Sequence, residues 1–122
     1  MDRIQQLVHG GKKVFSLDLS GLRSNDGFRE VIEAAKEAIV AYPENSVYSL
    51  ANVDGILFDS ETKRIIIQWM TFNQPYVRYG AVVGVDGIKK IMITSILKLT
   101  KRENVRMFAT YDDALDWLKS VD

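Results

Sequence analysis

Four times along this sequence a stretch with strand periodicity is followed by one with helix periodicity, and that alternation constrains the fold more than any other feature. It predicts an α/β architecture, a mostly parallel sheet joined by right-handed helical crossovers. The first such strand is Lys13 to Ser20, where Phe15, Leu17 and Leu19 alternate with Ser16, Asp18 and Ser20. Gly10-Gly11 ahead of it suits a tight hairpin, whose turn residues need positive φ, so residues 3–8 are expected to pair antiparallel with it. Ser24-Asn25-Asp26-Gly27 supplies capping side chains for a helix that carries Phe28, Val31, Ile32, Ala35, Ile39 and Tyr42 on one face and is closed by Pro43.

The second strand runs from Val47 to Val53, and either Asp54-Gly55 or Asp59-Ser60 caps the helix after it, about residues 60–74. Ile65-Ile66-Ile67 is β-branched and favours strand, but the length of the segment and the apolar spacing 65, 69, 72, 76 favour helix. Ala81 to Val85 is wholly apolar, as expected of a strand covered on both faces, and Asp86-Gly87 opens a helix from Ile88 to about Lys101. Val105 to Phe108 forms the last strand. Thr110-x-x-Asp113 then starts a helix with Tyr111, Ala114, Leu115 and Leu118 on one face. This pattern leaves the spatial order of the strands open.

Length and composition narrow the chemistry. A chain of 122 residues with 47% hydrophobic and 26% charged side chains is expected to form a single globular domain over residues 1–122. It contains no cysteine and one histidine, His9, which removes thiolate nucleophiles, disulfides and Cys- or His-based metal centres. No metal or cofactor is expected. Asp18 and Asp54 stand near strand ends where an acid can serve catalysis, but no nucleophile–base pair accompanies them, so the expectation is a protein that is not an enzyme. No apolar run is long enough to span a bilayer, and Met1-Asp2-Arg3-Ile4 lacks the design of a signal peptide, which points to a cytoplasmic location. Sixteen basic against sixteen acidic residues leave no global field for nucleic acid. That balance is a cancellation, because residues 1–61 carry 6 basic and 10 acidic side chains while residues 62–122 carry 10 and 6.

The order of elements and three segments resemble the STAS domain of bacterial anti-sigma factor antagonists. Val14-Phe15-Ser16-Leu17-Asp18-Leu19-Ser20-Gly21 is similar to that family's second strand, Val47 through Phe58 to its central strand, and Asp59-Ser60-Glu61-Thr62 falls where it carries Asp-Ser-Ser/Thr-Gly. Asn73-Gln74-Pro75-Tyr76-Val77, Ala81-Val82-Val83-Gly84 and Asp113-Ala114-Leu115-Asp116-Trp117-Leu118 resemble more narrowly the bacterial SpoIIAA-like (STAS/SEC14) group. The resemblance implies a STAS-like α/β fold with four helices and an N-terminal hairpin strand. It also implies Ser60 as the phosphoacceptor of a kinase resembling an anti-sigma factor. This sequence departs from the motif at two positions, Glu61 in place of the second hydroxyl and Thr62 in place of the glycine. A side chain at Thr62 is expected to obstruct a kinase that approaches the backbone there, and Glu61 to repel a phosphate.

Each candidate also has a plain structural reading. Ser60 beside Asp59 at a helix start reads first as a cap. Gly84-Val85-Asp86-Gly87 followed by Lys89-Lys90 has the outline of a phosphate-holding turn but lacks the full fingerprints, so a cap and tight turn is favoured there. At 100° per residue Ile88, Ile91, Met92, Ile96 and Leu99 form the stripe expected to face the sheet, with Ile93 and Leu97 outside it. Ile67 likewise lies off the face of Ile65, Trp69 and Phe72. Ile67, Ile93 and Leu97, with Lys89 and Lys90, are therefore the candidate partner or ligand surface. Lys89, Lys90, Lys98, Lys101, Arg102 and Arg106 surround this helix with only Glu103 among them, which reads as a solvated face or as a match for an acidic partner or a membrane surface. The expected function is a regulatory protein-binding module, self-associating or bound to a kinase-like partner. The alternative is a carrier for a lipid or other apolar ligand, as the likeness to Sec14-type domains implies.

Overall fold

A computed structural model describes residues 2–122; Met1 lies outside the described residues. The chain runs β1 (Ile4–His9), β2 (Lys12–Asp18), α1 (Asn25–Ile39), β3 (Val47–Asn52), α2 (Ser60–Asn73), β4 (Val77–Val83), α3 (Gly87–Leu99), β5 (Val105–Phe108) and α4 (Tyr111–Ser120). The five strands form one sheet in the order β1-β2-β3-β4-β5, with β1 antiparallel to β2 and every other neighbour parallel. Gly10 and Gly11, with φ of +59° and +80°, make the hairpin turn between β1 and β2, so His9 pairs with Lys12 and Ile4 with Leu17.

Because the parallel strands follow one another in space as they do in sequence, right-handed crossovers put α1, α2 and α3 on the same face of the sheet. The buried side chains bear this out. Phe15, Leu17, Val47, Val77, Val82 and Val105 pack with Phe28, Val31 and Ile32 of α1, Ile65, Ile66 and Trp69 of α2, and Ile93 and Ile96 of α3. The opposite face carries Val14, Leu50, Ala81 and Val83, which α4 covers with Ala114 and Leu118. The alternation of Val14 and Phe15 between the two clusters is the period-two pleat of a strand buried on both sides.

Capping fixes where the helices begin. Ser24 accepts from the Gly27 amide at 3.0 Å, Asp59 from the Thr62 amide at 2.8 Å and Thr110 from the Asp113 amide at 3.1 Å. Of the two expected caps for α2, Asp59 fills the role, and Ser60 beside it is the first helical residue instead. Gly84, at φ +80°, ends β4 against β3; a Cβ there would lie 2.6 Å from the Asp54 amide nitrogen, so glycine alone fits.

Two helix orientations differ from expectation. In α2 the buried residues are Thr62, Ile65, Ile66, Trp69, Met70 and Asn73, while Phe72 is exposed and stacks on Tyr76. In α3 the buried residues are Ile93 and Ile96, so of the stripe expected to face the sheet only Ile96 is fully buried and the helix is rotated toward Ile93, with Ile88, Ile91 and Leu99 75%, 72% and 64% exposed. The reason is that α3 is apolar on both arcs, so periodicity alone did not choose the arc the sheet would take.

Candidate functional site

The Asp59 to Thr62 turn joins the N-termini of α1 and α2. Asp59 caps α2, and its carboxyl is held below the usual carboxylate range, chiefly by the Thr62 amide and further by the Thr62 hydroxyl and Asn25. Thr62 is 1% exposed, and its hydroxyl donates to Asn25 Oδ1 of α1 at 3.1 Å. The side chain that replaces the resembled family's glycine therefore points into the protein as a bridge between helices.

Glu61 is clamped. Arg29 Nη2 of α1 donates to Glu61 Oε1 at 2.7 Å, and Arg64 Nε donates to Oε2 at 3.1 Å; Arg29 also reaches Asp26 at 3.2 Å. The bonds from Arg64 and then Arg29 hold the Glu61 carboxyl below its ordinary value. Two guanidinium groups thus offset the negative charge expected to repel a phosphate at Ser60. Ser60 itself is exposed at the first helical position, where the helix dipole favours an anion. The Glu61–Arg64 pair could have been found from its i, i+3 spacing; Arg29 comes from another helix and leaves no local signal.

The second group of candidates is dispersed. Ile93 is 4% exposed and Leu97 and Ile67 pack against the main core, so these three do not form an outward surface. The apolar surplus of α3 lies on the opposite arc, at Ile88, Ile91 and Leu99. Lys90 is exposed beside it and Lys89 is half-buried. The basic run divides too. Arg102 is buried, donating from Nη1 to the Met70 carbonyl at 2.8 Å and Asn73 Oδ1 at 2.7 Å and from Nε to Asn104 Oδ1 at 3.1 Å. Burial pushes its guanidinium pKa down to about 10. It ties the C-terminus of α2 to the segment entering β5. Arg106 stacks over Trp117, 5.4 Å from the ring centroid, on the α4 side.

Between the sheet, α2 and α3 lies an apolar cavity of about 40 Å³ bounded by Leu19, Trp69, Met70, Val82, Ile93 and Leu97. At the strand ends, Asp18 accepts from the Ser20 amide at 2.9 Å and hydroxyl at 2.6 Å, which stabilises the turn after β2. Asp86 occupies the N-cap position of α3 but makes no side-chain cap bond, so the Gly84 to Gly87 turn is not the capped helix start expected. Among the described residues no group of three or more His, Cys, Asp or Glu side chains is placed to hold a metal ion, and no helix is long and apolar enough to cross a membrane.

No protein-family model matches the sequence, and no curated protein does either. The fold has a solved counterpart. The chain is similar to the structure of an anti-sigma-factor antagonist (STAS) domain protein from Planctomyces limnophilus, with a TM-score of 0.52 over 96% of this chain and 98% of that one, at 15% identity. The fold is that of a STAS domain.

Proposed function

We propose that this chain is a cytoplasmic regulatory STAS-type module of one domain, that it acts by binding another protein without catalysing a reaction of its own, and that the contact centres on the Asp59 to Thr62 turn. The observation that carries the reading is the exposed Ser60 hydroxyl at the start of α2, on a turn fixed by the Asp59 cap and by the clamp of Arg29 and Arg64 on Glu61. A rigid, charged surface of this kind binds with little ordering cost.

A kinase-type partner that phosphorylated Ser60 would place a dianion at a helix N-terminus, beside two arginines that can transfer from Glu61 to phosphate oxygens. The turn's surface would then change sign without a change of fold. Against a carrier role stands the apolar cavity: about 40 Å³ is far below the roughly 300–1,000 Å³ of small-molecule sites.

Affinity capture on the immobilised protein, followed by titration of the purified partner, tests the reading. Ser60→Asp is expected to weaken the complex about tenfold or more, as charge placed in a contact commonly does. Affinity unaltered by both Ser60→Asp and Glu61→Lys would place the contact elsewhere.

A further inference from the structure

The outward arc of α3 takes no part in the core or in the turn before α2. At 100° per residue Ile91, Ser95, Ile88, Leu99 and Met92 fall in that order within an arc of about 100°. The three large aliphatic side chains of this arc, Ile88, Ile91 and Leu99, are among the most exposed apolar residues of the described chain. Ile96, just past the Met92 edge of this arc, and Ile93 beyond it fix the helix to the sheet, so α3 lies flat on the protein with Ile88, Ile91 and Leu99 facing out. Along one margin runs a shallow open depression lined by Lys90, Ile91, Thr94, Ser95 and Lys98, and Lys101 follows one turn beyond. No residue of α3 is acidic; Asp86 precedes it and Glu103 follows it.

The composition of this patch discriminates between occupants. Protein-binding surfaces concentrate Trp, Tyr, Phe and Arg at their centres and are poor in Lys. The α3 arc has the reverse character, with aliphatic side chains, lysines and no aromatic or arginine. Lysine stems lie along apolar surface while their ammonium groups reach sideways to anions, the arrangement of a helix resting in the headgroup layer of a membrane. The positive margin complements an anionic leaflet, and the apolar stripe reaches the acyl boundary below it.

We propose that α3 docks this protein onto the surface of an anionic lipid bilayer, with Ile88, Ile91 and Leu99 inserted and Lys90, Lys98 and Lys101 at the headgroups. The proposal does not depend on the role of the Ser60 turn, which lies on a different element. It assigns the module a membrane-surface location that can be taken up and released, since one short helix with a few lysines binds weakly and responds to salt.

Vesicle co-sedimentation of the full chain provides the test, with phosphatidylcholine vesicles with and without about a quarter phosphatidylserine. Binding to the anionic vesicles is expected, weaker by about tenfold or more on phosphatidylcholine alone or in high salt. Ile91→Ser with Leu99→Ser, and separately Lys90→Glu with Lys98→Glu, should each reduce partition by about tenfold or more. All four side chains are exposed, and circular dichroism of the variants shows whether the fold is kept. Absence of binding to anionic vesicles overturns the proposal, as does binding that neither folded variant alters. A protein that is dimeric until Ile91→Ser with Leu99→Ser makes it monomeric, and that ignores vesicles, would show that a second copy covers this face.

Discussion

Helices α1 and α3 cross the same face of the same sheet, yet they are held in different ways. In α1 the apolar residues Phe28, Val31, Ile32, Ala35 and Ile39 are all buried, and the polar residues between them face water. Its N-terminus is held a second time, through Asn25 to Thr62 and Arg29 to Glu61. By contrast, α3 has seven large apolar side chains, buries only Ile93 and Ile96 fully and leaves three facing solvent. Burial is what separates a stripe that stabilises a fold from one that is free to bind. Among the described residues, α1 spends its apolar surface on the core, and α3 keeps much of its own outside.

The largest expected effect sets the two helices directly against each other. Phe28→Ala should destabilise the protein by about 3–5 kcal/mol in urea unfolding, because it removes a ring that is 1% exposed and leaves a cavity. Ile91→Ala, which also shortens a large apolar side chain but on the outer arc of α3, should stay within about 0.5 kcal/mol of wild type. The next effect divides α3 internally. Ile96→Ala is expected to cost about 2–5 kcal/mol and Leu99→Ala less than about 0.5 kcal/mol. A larger cost at Leu99 than at Ile96 would mean that the helix presents the other arc to the sheet.

That arc is also where sequence reading failed, and the physical reason is specific. The alternation of elements, the Gly10-Gly11 hairpin and the Thr110 cap were legible, because turns, caps and strand periods are local properties of the chain. The STAS-like fold followed from them together with the family resemblance. For α1 the polar residues mark the outer face unambiguously. For α3, apolar residues on both arcs make the wheel degenerate, and the choice of Ile93 and Ile96 was set by packing against β4 and α2. In α2 two of the six buried side chains, Thr62 and Asn73, are polar and satisfied by Asn25 and Arg102 from distant segments. A hydrophobic wheel discounts such residues and rotates the helix toward Phe72. At the candidate site, Asp59 and Ser60 stood out from their place in the chain. Arg29 did not, because it is 32 residues from Glu61 in sequence and adjacent only in space.

The second hold on α1 gives a smaller effect. Thr62→Val keeps the shape of the buried side chain and removes its bond to Asn25, so a loss of about 1 kcal/mol is expected in urea unfolding. The same substitution should leave α3 unaffected, which hydrogen exchange of the α3 amides would check. Faster exchange there would mean that the joint between α1 and α2 also steadies the third helix.

The smallest effect concerns the charges at that joint and has a defined sign. The carboxyl groups of Asp59 and Glu61 both titrate below their ordinary values of 3.8 and 4.5 in the folded protein. Their contribution to stability is therefore complete above those values and is lost as pH falls through the lowered folded ones. Asp59→Asn with Glu61→Gln should flatten the acid limb of the urea midpoint, measured from about pH 5 down to about pH 2. Salt separates the two groups. Glu61 is held low mainly by the guanidinium groups of Arg64 and Arg29, exposed pairs that added salt weakens, whereas the main restraint on Asp59 is an amide hydrogen bond within the cap. Glu61→Gln alone should remove most of the salt dependence of the acid limb, and Asp59→Asn alone should leave it in place.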